Sequence, residues 1–183
     1  MPSDAERDAF AALQGGVRAQ RGDAGHRWIA ASQLHVTLRF LGDTTSPQRE
    51  AVAHSLGQHA GESAPFTATT AGPQYWPSER NPRVLVLKLE SGGALEALGT
   101  SLENHMRSLG FAPEPRAFRA HLTLARIRLP RAPAAPLPAT GTLAPAIDHL
   151  ALVRSTLRSA GSQYDVLGTW PLGGCPAAPR LGK

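Results

Sequence analysis

Two short segments carry the residues best suited to chemistry: His35-Val36-Thr37-Leu38 and His121-Leu122-Thr123-Leu124, 86 residues apart and alike in pattern. Side chains of an extended strand alternate between faces, so histidine and threonine at i and i+2 share one face while the aliphatic residues enter the core. Each segment thus presents an imidazole beside a hydroxyl. Two imidazoles of ordinary pKa near ~6.5 suit paired proton transfer, one neutral as base and the other protonated as acid. In-line displacement at phosphorus calls for that pairing, because the attacking water and the leaving oxygen lie on opposite sides of the phosphoryl group. Thr37 and Thr123 are placed to donate to nonbridging oxygens, and Arg39, on the parity of His35, adds fixed positive charge. Arg126 has the wrong parity relative to His121. It needs a bulge or strand end after Ala125 to reach the same face, which ranks it below Arg39.

The elements that must hold these residues are legible from periodicity. Ser3 and Glu6 read as a capping box ahead of a helix carrying Phe10, Leu13 and Val17, weakened by Gly15 and Gly16. After a short apolar segment, Trp28 to Ala30, the alternation from Leu34 to Leu41 predicts a strand with one apolar and one polar face. Ser46 and Pro47 read as the N-cap and first residue of a second helix reaching Ala60. Phe66 to Ala71 and Arg83 to Glu90 predict strands, joined by a long loop marked by Gly72, Pro73, Pro77 and Pro82. Leu95, Leu98, Leu102, Met106 and Leu109 give the strongest helical stripe, closed by Gly110. A strand over Phe118 to Leu129 follows, then a proline-rich surface loop from Pro130 to Pro145. A hairpin of Ile147 to Ser155 and Gln163 to Trp170 turns at Ala160-Gly161-Ser162. Two halves with a similar order of elements, each holding one motif, imply two lobes facing each other across a cleft.

A chain of 183 residues has room for about one ordinary domain, and its 42% hydrophobic content supports a real core. The expected organisation is one bilobal domain over residues 1–172 with a flexible C-terminal tail at 173–183. The balance of 19 basic against 14 acidic residues, net +5, favours an anionic partner. Only Lys88 and Lys183 are lysines, so the cationic surface is almost all guanidinium, suited to bidentate contact with phosphate. Cys175 is the only cysteine, which excludes an internal disulfide and a thiol-rich zinc site and fits a reducing compartment. His54 and His59 diverge on their helix, no acidic or thiol side chain joins the motif histidines at metal-ligand spacing, and neither a P-loop nor a G-x-S-x-G is present. With no apolar run long enough to span a bilayer and no leader pattern, a cytoplasmic protein without membrane contact is expected.

HVTLRFLGD (His35 to Asp43) and FRAHLTLAR (Phe118 to Arg126) resemble the two motifs of the 2H phosphoesterase superfamily, in its bacterial RNA 2′,3′-cyclic phosphodiesterase branch, also called 2′-5′ RNA ligase-like. The resemblance runs from about Trp28 to Leu172. It implies a bilobal α+β fold of duplicated β-α-β-α-β units, with antiparallel sheets flanking a central cleft. It further implies no metal or other cofactor, and hydrolysis of RNA ends bearing a 2′,3′-cyclic phosphate, tRNA fragments among them, to a 2′-phosphate. By position His35 corresponds to the proton donor to O3′ and His121 to the proton acceptor that activates water. Relatives usually start with an apolar strand before the first helix; here Met1-Pro2-Ser3-Asp4 leads into that helix directly, so a strand is expected to be missing.

Two rival readings share these motifs: the same chemistry on a small cyclic nucleotide derivative, and a non-catalytic module that binds RNA ends. Tyr75 and Trp76, near Arg80 and Arg83, are candidates to stack on a terminal base, packing at a lobe edge being the alternative. Tyr164 and Phe40 are expected in the core. A monomer is expected.

Overall fold

The computed structural model describes residues 2–23, 25–129, 131–132, 136–158 and 161–174. Helix α1 (Asp4–Arg21) starts at the expected box, with Glu6 N–H donating to Ser3 Oγ and Ser3 N–H to Glu6 Oε2. It runs through Gly15 and Gly16 without interruption, because Phe10 and Val17 on either side of the glycines are sealed in the core. Helix α2 (Ser46–Glu62) is capped one residue earlier than its Ser-Pro pair indicates. Thr45 and Gln48 satisfy each other's backbone N–H groups, a reciprocal pair that Ser46 cannot make. Helix α3 (Ala94–Ser108) buries Leu95, Leu98, Leu102 and Met106, the stripe read from the sequence. Each such side chain contributes roughly 1.5–3 kcal/mol.

Strands β1 (His26–Trp28), β3 (Thr69–Ser78), β4 (Asn81–Glu90) and β5 (His121–Ile127) form an antiparallel sheet ordered β1-β5-β4-β3. Strand β2 (Phe66–Thr67) pairs with β6 (Ala146–Ile147), and β7 (His149–Arg158) with β8 (Gly161–Pro171) as the expected hairpin. Of its predicted turn, Ala160 lies outside the described residues, as do 175–183 of the predicted tail. Helices α2 and α3 pack with the hairpin around Val52, Leu56, Leu98, Leu102, Leu152 and Trp170. Helix α1 covers the four-stranded sheet through Phe10 and Val17, against Leu85, Leu87, Leu122 and Leu124. No helix among the described residues is long and apolar enough to cross a membrane.

Three expectations are corrected. The loop predicted over residues 72–82 is mostly strand, because β3 is the sheet's edge and a proline there sacrifices no ladder bond. The strand predicted over Phe118 to Leu129 is confined to β5, between the irregular residues 111–120 and the proline-rich segment. Residues 34–41, read as a strand, join no ladder. They run between the lobes, held by side chains: Leu34 is buried against the α1 cluster, and Val36 and Leu38 pack with Ala68, Leu89 and Leu95. Alternation reports which side chains are covered, and here helices and loops do the covering.

His59 of α2 is only 2% exposed and lies 4.8 Å from the His105 ring of α3. Burial, then the charge of His105, pushes its pKa below the ordinary 6.5. The unfolded chain therefore takes up the proton first, so this contribution is complete above pH 6.5 and is lost as pH falls toward the folded value. Urea midpoints measured from pH 7.5 to 4.5 should fall below pH 6.5, and His59→Leu should flatten part of that slope. His35, also depressed, acts in the same direction.

Candidate active site

Both motif histidines are held alike. His35 Nδ1 lies 2.7 Å from Gln33 O, and His121 Nδ1 lies 2.7 Å from Arg119 O. A carbonyl accepts only, so each Nδ1 carries the proton and each Nε2 remains the nitrogen that can exchange one. The rings sense each other. Burial above all lowers the pKa of His35 from 6.5, partly offset by the Gln33 carbonyl, and the charges of His121 and Arg126 lower it further. His121, Arg126 and His35 thus lie within electrostatic reach, although they come from different halves of the chain. Thr37 and Thr123, two residues beyond each histidine, have no protein partner for their hydroxyls among the described residues.

The two arginines exchange ranks. Val86 pairs with Thr123 and Leu85 with Ala125, so Leu124 is an extra residue on β5, a β-bulge. Its carbonyl accepts from Ile29 N–H and from the side chain of Gln14 on α1, both at 2.9 Å. Leu122, Leu124, Ala125 and Ile127 are all buried, so the alternation changes phase at the bulge and Arg126 rejoins the face of His121 and Thr123. Arg39, expected in the cleft, is committed elsewhere. Its Nε lies 2.6 Å from Glu103 of α3 and one terminal nitrogen 3.1 Å from Glu114, and it also donates to the carbonyls of Phe40 and Ala112. With its side chain 9% exposed and two carboxylates against it, Arg39 is a structural clasp.

Each histidine also meets an aromatic ring. Tyr164 of β8 stands edge-on to His35 with centroids 4.7 Å apart, and Trp76 of β3 lies 4.8 Å from His121, with the Arg119 guanidinium 3.8 Å from the same indole. Tyr164 is therefore a wall of the site. Nothing in the sequence places the hairpin over the first motif, which is why its role is invisible there. Phe40, also expected in the core, is 72% exposed, because Arg39 draws its segment toward Ala112 and Glu114. Strand alternation separates the proposed stacking pair: Tyr75 is buried with its hydroxyl 2.9 Å from His26 Nε2, and Trp76 faces His121. Arg80 sits in the turn between β3 and β4, and Arg83 is exposed on β4.

The two halves are alike beyond their motifs. A family model described as LigT like phosphoesterase matches residues 1–86 and again 87–164. The chain belongs to the LigT-like phosphoesterase family. This LigT-like phosphoesterase is 35% identical over 178 residues to an RNA 2′,3′-cyclic phosphodiesterase of Thermus thermophilus, covering 92% of this chain and 85% of that one. It is 29% identical to one of Geobacillus stearothermophilus over 154 residues, covering 81% of this chain and about half (48%) of that longer relative. A crystal structure of a Thermus thermophilus protein superposes with a TM-score of 0.76 at 33% identity, covering 94% of each chain. E. coli LigT complexed with 3′-AMP superposes with a TM-score of 0.66 at 25% identity, covering 88% of this chain and 92% of that one. The mixed α+β architecture with antiparallel sheets, duplicated across two halves, is that of these LigT-like phosphoesterases.

Removing the clasp should damage the fold. Arg39→Ala leaves Glu103 and Glu114 facing each other without a cation and should cost about 2–4 kcal/mol in urea unfolding, with turnover per folded molecule little changed. A variant of native stability would show that the ion pairs are idle.

Proposed function

We propose that this protein hydrolyses RNA ends carrying a 2′,3′-cyclic phosphate to a 2′-phosphate, without a metal, using His35 and His121 as a proton-transfer pair. The observation that carries the reading is the matched pair of imidazoles, each fixed through Nδ1 with Nε2 available, in electrostatic contact from opposite halves of the chain. The names of the relatives, RNA 2′,3′-cyclic phosphodiesterase, support the substrate, and E. coli LigT, solved with 3′-AMP, supports nucleotide binding by this fold.

In the proposed reaction His121 Nε2 removes a proton from water as its oxygen attacks phosphorus. The P–O3′ bond breaks and His35 Nε2 gives its proton to O3′, leaving a free 3′-hydroxyl and a 2′-phosphomonoester. Arg126 and the hydroxyls of Thr37 and Thr123 stabilise the charge that builds on the nonbridging oxygens. The donor must hold a proton, yet in the free protein His35 is depressed by burial and by neighbouring cations. The anionic ester supplies the missing field. Once it lies between His35 and Arg126, the protonated form of His35 is favoured again, so the donor is charged by its own substrate.

Three measurements follow. End-group analysis of a 2′,3′-cyclic dinucleotide incubated in EDTA should give the 2′-monoester; a 3′-monoester or no product would refute the reading. His35→Ala and His121→Ala should each lower turnover by about 10²–10⁴ with the fold intact, and Arg126→Ala by about 10²–10³. Followed by NMR, the His35 ring should titrate below 6.5 in the free protein and move upward when a 2′-phosphomonoester product saturates the site. A midpoint that does not move would remove His35 from the donor role.

A further inference from the structure

Beside the proposed reacting centre lies a pair of charges that the hydrolysis does not use fully. Arg27 of β1 is the direct antiparallel partner of Arg126 on β5. Residues directly opposite on neighbouring strands point to the same face, so Arg27 shares the face of Arg126, Thr123 and His121. Two like charges in that relation repel. A carboxylate between them would relieve the repulsion, yet among the described residues neither guanidinium makes an ion pair or a hydrogen bond. The contrast with Arg39, which engages two carboxylates, and Arg18, bound to Asp23, is plain. Arg27 is half-buried at the sheet edge and Arg126 is exposed, so an anion has access from solvent.

The position of the pair selects the anion. With one residue taken up by the bulge, Arg126 lies two strand steps past Thr123, roughly 7 Å along β5, and Arg27 lies one further strand spacing, ~4.8 Å, to the side. That displacement is the span of a nucleotide's backbone. A cyclic phosphate ends its chain, so any second phosphate within that reach belongs to the linkage on the 5′ side of the terminal nucleotide. The geometry points to Arg27, one strand beyond Arg126 on the same face, as a second anion subsite that grips this internucleotide phosphodiester. The protein thereby recognises the end of an oligonucleotide in preference to a free cyclic mononucleotide. This inference rests on the proposed cyclic-phosphate reaction for its placement, and its charge recognition can be read without turnover.

The test compares a nucleoside 2′,3′-cyclic phosphate with a dinucleotide ending in the same group, for the native protein, Arg27→Ala and Arg27→Lys. The native protein should favour the dinucleotide in kcat/KM, mainly through KM. Arg27→Ala should reduce that preference about tenfold and lower the slope of log affinity against log salt by about one. Arg27→Lys should restore part of both, which an effect on folding alone would not do. A native protein indifferent to the second nucleotide, or an Arg27→Ala variant with an unchanged ratio, would overturn the subsite. Binding of the dinucleotide 2′-phosphate, measured in parallel, separates the two readings. If neither cyclic substrate is hydrolysed but Arg27→Ala still weakens this binding and flattens its salt slope, the reaction fails and the subsite stands. If binding is equal in both proteins, the subsite fails whatever the turnover.

Discussion

Leu124 has no partner residue on β4, and the site depends on what holds its carbonyl instead. A buried carbonyl left unpaired costs about 1–3 kcal/mol, enough to press the extra residue out of the strand. Here Gln14 of α1 and the backbone of Ile29 both donate to it. The bulge persists, the alternation of β5 changes phase, and a guanidinium that would face the core joins the histidines. Helix α1 contributes no side chain to the reaction proposed above. Through its Ser3–Glu6 cap and the seating of Phe10 and Val17, it holds the amide that holds the bulge.

The two histidines illustrate how similar local geometry yields different electrostatics. Both rings are fixed by a carbonyl two residues upstream, which sets the tautomer without adding charge. Their surroundings then diverge. His35 lies against Tyr164 with burial as its main perturbation, while His121 opens β5 beside Trp76 and the stacked Arg119. The duplicated frame holds the two rings alike, and neighbours drawn from strands unrelated by the repeat make their surroundings differ.

Much of this was legible from residue order. The His-x-Thr repeat, the α3 stripe, the α1 cap and the late hairpin each rest on local rules, and the family followed from the two extended motifs. Features that depend on what lies across space were not. Three prolines obscured β3 and the start of β4 because nothing local says that β3 lies at an edge. Residues 34–41 alternate as a strand does, yet they are covered by helices and loops and pair with no neighbour. Arg39 has the correct parity and the wrong destination, since Glu103 and Glu114 lie more than sixty residues away in sequence. Arg126 has the wrong parity and the right destination, because parity counts residues and a bulge adds one.

That inserted residue also distinguishes the two copies. In the first motif the arginine follows the histidine by four positions and turns to Glu103 and Glu114; in the second it follows by five and shares the face of its histidine. Two identical first halves would carry a pair of imidazoles and two arginines without this clasp, because Glu103 and Glu114 both belong to the second half. The present arrangement is therefore an unequal pair of related halves, and doubling either one alone would not regenerate it.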